Sequence, residues 1–499
     1  MKYRVEHYKE PRSKQYTKAP ICPPCRTQSS PYWYSSRTLV HRTITPYCDP
    51  SAITFASTEV FCLTMQVVDA ERARELSLFR PLGYQSNSCG YCKSKDGSAS
   101  YYTSSTSVHP EHYEDLINNG WRRSGSLYYK QNLRQSCCPH YTLRLEAADY
   151  RPRRDQRKAI NKWNKFILGP EYMRKAARLC PQTRAEKKHR KCNFDVLSAV
   201  HASEYDNIKR PVDPVTKCPI EPAHRFEVTT ESDSVTQAKY QLFLKYQTAV
   251  HKEDVSSTTP KDFQRFLCTG IKRSPNPLTA SNANEKKVGS WHQCYRLDGE
   301  LVAVAVLDLL PTGVSSVYVF HDPAYEQWEF GKLSAMREIA FSIQNQYKYY
   351  YMGESDSTSV RLRLTRIRVL HTLMHPESGE WDPLDGELTE KLNTRSYVSL
   401  SRDRLGSPAP IPSADSSADP DVSLFDINMP GALTVAQVEA LDLDHWLLFF
   451  RKNLVHMEDL VGWETMSMTE PQSIKGIIAE LAAVLGPKIV ENSAVDLFG

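Results

Sequence analysis

Apolar residues run almost unbroken through ELVAVAVLDLLP, residues 300–311, with no alternation between faces. That pattern predicts a strand covered on both sides of a sheet. GVSSVYVFHD (313–322) reads as a second strand, EFGKLSAMREIAFSIQNQ (329–346) as a helix with Leu333, Met336, Ala340 and Ile343 on one side, and YKYYYMG (347–353) as a third strand. The run is β-β-α-β, with the helix crossing between sheet strands.

Upstream, RDQRKAINKWNKFILG (154–169) places Ile160, Trp163, Phe166 and Ile167 at helical spacing, so one face packs while Arg and Lys line the other. EVTTESDSV (227–235) is a strand or connector. TQAKYQLFLKYQTAVH (236–251) is a helix burying Leu242, Tyr246 and Ala249, and KDFQRFLC (261–268) is a shorter helix. HYEDLINN (112–119) predicts a helix stopped by Gly120 and followed by strand-like alternation. VVDAERARELSLF (67–79), LTVAQVEALDLDHWLLFF (433–450) and SIKGIIAELAAVLG (473–486) read as amphipathic helices. SPNPLTASNANEKK (274–287) is a surface loop and GSPAPIPSADSSADPDVS (406–423) a linker.

The expected class is α+β. A disordered or mispredicted segment (1–64) leads to a Cys-rich module (65–150) and a basic helical connector (151–230). A mixed-sheet domain (231–400) follows, then a linker with a mainly helical C-terminal extension (401–499). The first 64 residues are rich in Ser, Thr, Tyr and Pro without sustained periodicity, and Met65 is an alternative start.

With 499 residues and 40% apolar content the chain can build two to four domains. Neither an export signal nor a membrane span is expected, because the longest apolar stretch is about half of what a bilayer requires. Charge is segregated: between Arg151 and Cys192 there are 15 Lys and Arg against 3 Asp and Glu, in a chain whose net charge is +5. Such a block is either a polyanion contact or a solvated helical face.

The 13 cysteines are an odd number, which suits free thiols or metal ligands in a reducing compartment. Cys89-Gly-Tyr-Cys92 followed by Cys137-Cys138 supplies four ligands if the chain turns at Pro139, fitting zinc or an iron–sulfur cluster; the alternative is buried or redox-active thiols. Cys22-Pro-Pro-Cys25 carries less weight, being stiffened by two prolines. Gly331 and Lys332 sit in the first turn of the crossing helix, where backbone N–H groups favour a phosphate or carboxylate. Ser315 and Ser316 are donors for an ester or ribose, or plain strand residues. Asp308, inside an apolar run, is a functional carboxylate or a strand-end residue.

In order, CGYC, NGWRRSGSLYYK, CCPHYTLRL, QRKAINKWNKF, FLKYQTAVH, FQRFLC, DLLPTGVSSVYVFHDP and FGKLSAMRE closely resemble the eukaryotic arginyl-tRNA protein transferase family. The likeness runs from Leu76 to Gly353 and resumes in HPESGEWDPLDGEL and YVSLSRDR. It implies transfer of arginine from Arg-tRNA to the α-amine of proteins beginning with Asp or Glu, marking them for ubiquitin-dependent degradation. It also implies an acetyltransferase-like fold over residues 235–353 and a zinc or iron–sulfur site at Cys89, Cys92, Cys137 and Cys138. On that basis Arg151, Arg153, Arg154, Arg157 and Lys158 are expected to contact tRNA(Arg). Asp308 and Lys332 are the candidate catalytic groups, with Ser315, Ser316, Tyr318 and Gly331 shaping the substrate pocket. The expected protein is a monomer of the cytoplasm, with the nucleus a second compartment.

One departure stands out. Where the family continues with a Cys-Pro-Lys-Met type segment, this chain reads ESDSTSVRLRLTRIRVLHTLM (354–374), as a shifted frame or mispredicted intron would produce. The competing function is a non-enzymatic, zinc-dependent RNA-binding protein, which accounts for the thiols and the charge.

Overall fold

The computed structural model describes residues 76–497 apart from 90–91, 187, 189–193, 257, 274–285, 353–370, 396, 405, 407–421 and 452. The 1–64 segment, Cys22 and Cys25, and most of the 274–287 loop, the 406–423 linker and the 354–374 segment lie outside the described residues.

Two mixed sheets organise the chain. Strands β1 (Ser77–Asn87), β2 (Ser98–Ser104), β3 (Trp121–Ser124) and β4 (Leu127–Gln131) belong to the first, with helix α1 (Pro110–Asn118) inserted before β3. Strand β5 (Leu143–Glu146) then crosses to the second sheet, followed by helix α2 (Arg154–Leu179). The second sheet continues with β6 (Phe226–Ser232), helices α3 (Gln237–Tyr246) and α4 (Pro260–Leu267), and β7 (Gly289–Leu297), β8 (Glu300–Leu309) and β9 (Gly313–His321). Helix α5 (Phe330–Gln344), β10 (Tyr349–Tyr351), β11 (His371–Met374) and β12 (Trp381–Pro383) complete it. The chain then returns to the first sheet as β13 (Leu447–Phe450), β14 (Asn453–His456), helix α6 (Ile474–Leu485) and β15 (Ser493–Val495). The orders are β14-β13-β15-β1-β2-β4-β3 and β12-β11-β5-β10-β9-β8-β7-β6.

The apolar run in β8 has the expected cause. Val304 and Val306 pack with Leu242, Phe243, Phe263 and Phe266 of α3 and α4. Ala303, Ala305 and Leu307 face the other way, toward Trp163 and Ile167 of α2 and Leu333 and Met336 of α5. Strand β8 is therefore the middle layer of a three-layer unit. In α2, Ile160, Trp163 and Ile167 are buried and Phe166 half-buried. The helix kinks at Gly169, whose φ of 74° precedes Pro170; proline disfavours helical geometry in the residue before it.

Four sequence expectations need correction. Ser77–Phe79, assigned to a helix over 67–79, is strand, because it pairs in parallel with Ser493–Val495 at the far end of the chain. Of residues 433–450, only Val435–Glu439 is helical, and Leu447–Phe450 is held extended between β14 and β15. Ala249 is exposed rather than buried, since α3 widens into a π turn over Gln247–His251 and rotates the residues that follow. Ile343 is only half-buried at the end of α5. The C-terminal region thus adds strands as well as helices, and α6 inserts Ile478, Leu481 and Leu485 into the core built by Phe79, Tyr101 and Trp121. Among the described residues no helix is long and apolar enough to cross a membrane.

The sheets are joined by a buried ion pair. Arg123 on β3 donates through Nε to Asp308 Oδ2 at 2.7 Å and through Nη2 to Oδ1 at 2.6 Å. Its Nη1 donates to the carbonyls of Gly125 and Thr269, and Ser290 Oγ donates to Asp308 Oδ1 at 2.8 Å. Both side chains are at most 1% exposed. Burial opposes the charge on Arg123, but the Asp308 carboxylate outweighs it and raises the guanidinium pKa above its ordinary value. Glu114 of α1 adds a second tie by accepting from Thr312 N and Oγ1.

Two outcomes follow from these buried charges. Arg123→Met should cost about 3–5 kcal/mol in urea denaturation by stranding Asp308, with Arg123→Met/Asp308→Leu recovering much of the loss. Glu480 of α6, which accepts from Leu424 N at 2.8 Å, has its pKa pushed up from 4.5 to about 7 by burial. The folded state therefore holds a proton that the unfolded chain releases, and this contribution to stability is lost as pH rises from about 4.5 through 7. Glu480→Gln should flatten that part of the stability–pH curve.

Candidate functional site

The four thiols converge. The sulfurs of Cys89, Cys92, Cys137 and Cys138 all lie within 4.8 Å of one another. Cys89 and Cys138 are buried, Cys92 and Cys137 exposed. A tight turn closes the first pair: Cys89 N donates to Ser94 O, Lys93 N donates to Cys89 O, and Lys93 has a left-handed φ of 64°. Cys137 N donates to Gly97 O, and a Cβ on Gly97 would come within 2.7 Å of Cys137 Sγ, so this residue must be glycine for the second pair to approach. The backbone of Ser94, then the Cys137 thiol, pull Cys92 down to about 7, while burial pushes Cys137 upward. Sulfurs bound to one tetrahedral zinc lie about 3.8 Å apart, given Zn–S bonds of about 2.3 Å. The donor set therefore suits a metal ion.

The basic helix begins against the head of α5. Arg151, Arg154, Arg157 and Lys158 are exposed, and Arg153 is half-buried. Arg153 pairs with Asp155 at 3.0 Å, and Lys332 reaches both Asp155, at 3.5 Å, and Glu329, at 2.5 Å. Further along the same face, Lys162 Nζ lies 4.8 Å over the ring of Trp328, which stacks on Phe166 at 4.5 Å. A cationic surface studded with half-buried aromatics thus leads to Gly331 and Lys332.

Opposite the middle of α5, where Glu338 accepts from Tyr350 Oη, the second sheet splits: among the described residues, parallel strands β9 and β10 pair at Gly313↔Tyr349, Val314↔Tyr350 and Ser315↔Tyr351 and no further. A bulge against β8 follows at once, leaving Val317 out of register. Beyond Ser315, β9 has no neighbour on its β10 side among the described residues. At its end, the ring of His321 stacks on Phe330 of α5 at 5.5 Å and meets Tyr246 of α3 edge-on at 5.1 Å. His321 therefore touches helices from both faces of the sheet.

The expected site residues are distributed around this split. Ser315 is buried and Ser316 half-buried where the strands part. Tyr318 points to the α3 face: its Oη donates to Gln247 Oε1 at 3.0 Å and lies 3.2 Å from His251 Nε2, both in the π turn. Gly331 is buried in the first turn of α5. Asp308 is paired in register with Ser315, but its carboxylate turns to Arg123 and is fully buried, so it does not face the split.

Sequence reasoning passed over Arg123, Glu338, His251 and His321. Glu338 is fully buried on α5, accepts from Tyr350 Oη at 2.7 Å, and has its pKa raised by burial. Its signal was a carboxylate on the packed side of an apolar helix.

Comparisons with known proteins cover both regions. The family model described as "Arginine-tRNA-protein transferase, N terminus" matches residues 87–158, and "Arginine-tRNA-protein transferase, C terminus" matches residues 238–358. The first span holds all four thiols and the head of α2; the second runs from α3 past β10. Arginyl-tRNA–protein transferase 1 of Saccharomyces cerevisiae is 29% identical over 48% of this chain, which spans 44% of that relative. The protein of the same name from Drosophila melanogaster is 23% identical over 66% of this chain and 86% of its own length. An aspartate/glutamate leucyltransferase of Pseudomonas putida is 23% identical over 56% of the chain and 86% of its own length.

Purified protein should carry about one equivalent of metal by elemental analysis, and Cys138→Ser, which removes a buried ligand, should lose it together with several degrees of thermal stability.

Proposed function

Because the chain belongs to the arginyl-tRNA protein transferase family, we propose that it moves arginine from Arg-tRNA to the α-amine of proteins beginning with Asp or Glu. One observation carries this reading: the basic first turns of α2 lie against the head of α5, which meets the end of β9 at His321, on the stretch of β9 that has left β10. A polyanion lying along α2 would deliver its charged end to the split. In the RNA-binding alternative that contiguous split has no task, and the alternative is not favoured.

The reaction is ester aminolysis. The neutral amine attacks the arginyl carbonyl carbon, and the C–N bond forms as the bond to the ribose oxygen breaks. The nitrogen gives up a proton and the ribose oxygen gains one. An α-amine has an ordinary pKa of about 7.7–8.0, so part of it is neutral near pH 7 without a strong base. Alignment of ester and amine can contribute roughly 7–11 kcal/mol. The N–H groups of Lys332 and Leu333 donate to Glu329 O, and among the described residues this leaves those of Phe330 and Gly331 at the helix head for the developing oxyanion.

Asp308 acts through Arg123, fixing the register of β8 behind Ser315. Lys332 meets the terminal phosphate of the tRNA by exchanging Asp155 for it, and Arg151, Arg153, Arg154, Arg157 and Lys158 hold the backbone. The four thiols would hold a zinc ion or an iron–sulfur cluster, which when bound would tie the loop after β1 to the loop after β4. The product, a protein with N-terminal arginine, would enter ubiquitin-dependent degradation in the cytoplasm or nucleus, with the transferase acting as a monomer.

Incubation with labelled Arg-tRNA and an Asp-initiated peptide should place label in the peptide. Replacing Arg154, Arg157 and Lys158 by Glu should raise the KM for Arg-tRNA on the order of tenfold and make binding less salt-dependent. Retention of tRNA with no label transferred would instead support the binding protein.

A further inference from the structure

A groove of about 660 Å³ lies on the α3 face of the second sheet, where Gln241, Lys245 and Thr248 of α3 and its π turn meet Glu300, Leu301 and Asp322 at the ends of β8 and β9. Its volume falls within the range of about 300–1,000 Å³ usual for ligand sites. The charges in it are mixed. Lys245 Nζ lies 2.6 Å from Asp322 Oδ2, with the lysine side chain 58% exposed and the aspartate 18%. Asp322 Oδ1 accepts from Ala324 N, so the carboxylate is anchored while the ammonium is free to swing. Burial works against the Asp322 charge, but the hydrogen bond from Lys245 prevails and holds its pKa below the usual value. Glu300 adds a second, exposed carboxylate at the opening.

One mobile cation beside two carboxylates is a poor match for a phosphate or a purely cationic ligand. It matches a group carrying both signs a few ångströms apart, and the N-terminal residue of a protein beginning with Asp or Glu is such a group. We infer that this groove receives the acidic N-terminal residue of the acceptor protein, whose side-chain carboxylate takes Lys245 while its α-amino group is drawn to Asp322 and Glu300 as the ammonium, loses a proton to solvent, and then donates hydrogen bonds to them as the neutral nucleophile. This rests on the transferase reading and adds where the acceptor binds and what selects it. The placement supplies the geometry: Asp322 directly follows His321, whose ring touches both Tyr246 beside the groove and Phe330 at the head of α5. The amine is thereby held next to the strand end where the ester arrives. The tRNA approaches over α2 and α5, and the peptide over α3, from the opposite face.

The test compares the parent with Lys245→Glu and Lys245→Met on peptides that differ only in a first residue of Asp, Glu, Asn or Lys. Lys245 is exposed, and matched thermal unfolding of Lys245→Met would confirm an intact fold. Losing a charge-assisted hydrogen bond should raise the KM for the Asp and Glu peptides on the order of tenfold. The effect should fall on KM more than on kcat, with the KM for Arg-tRNA at the parent value. Lys245→Glu should also gain on the Lys-initiated peptide relative to the parent. If both variants keep the parent's preference for Asp over Asn, the groove is not the acceptor site. If the parent transfers arginine to no peptide, the transferase reading fails, and the groove is judged separately by fluorescence-anisotropy titration of a labelled Asp-initiated peptide: binding weakened in Lys245→Glu sustains it, and equal or absent binding overturns it.

Discussion

The structure depends on one buried ion pair. Arg123 enters from the edge strand of the first sheet and meets Asp308 near the end of β8, an interior strand of the second, and neither charge has access to water. Each alone would be costly to bury, so neither partner can be removed singly without stranding the other, and the remaining hydrogen-bonding groups are used by Ser290, Gly125 and Thr269. Gly125 and Gly270 follow from it. A Cβ on Gly125 would lie 1.9 Å from Arg265 O, and one on Gly270 would lie 2.7 Å from Arg123 Nη1. Both positions are glycine because two backbones close around the guanidinium.

The first sheet is assembled from both ends of the described chain. Strand β1 lies between β2 and β15, so the hairpins near the thiols share hydrogen bonds with residues more than 400 positions away. Trp121 Nε1 donates to Val484 O across the same interface. The C-terminal region is thus a structural part of the module that carries the cysteines. Loosening α6 would be felt at β3, and through Arg123 at β8.

Legibility followed the origin of the signal. Where packing on both faces dictates composition, as in β8, or where a helix alternates between core and solvent, as in α2 and α5, the periodicity was sufficient. The thiol quartet was readable from spacing because chelation needs two short bites. Ser77–Phe79 and Leu447–Phe450 were not readable, since their extended form is imposed by partners at the opposite end of the sequence. Arg123 in WRRS looks like a solvent-facing strand residue until a second sheet is placed over it. Asp308 was visible as an anomaly in an apolar run, but the same anomaly marks a pocket carboxylate or half of a buried pair, and only the arginine distinguishes them.

With the two substrates on opposite faces of one sheet, as proposed, the joint between the sheets would have to be rigid. Aminolysis assisted mainly by alignment gains little if the ester and the amine wander by an ångström. The ester would be fixed by α2 and α5, the amine by α3, and β7, β8 and β9 pack against both sets of helices. The bulge at Val317 fixes the register next to the split, and Asp308, facing Ser315, is locked by Arg123 at that same point. A charge pair that touches neither substrate is then the element on which their meeting depends, and the sheet itself is the ruler between donor and acceptor.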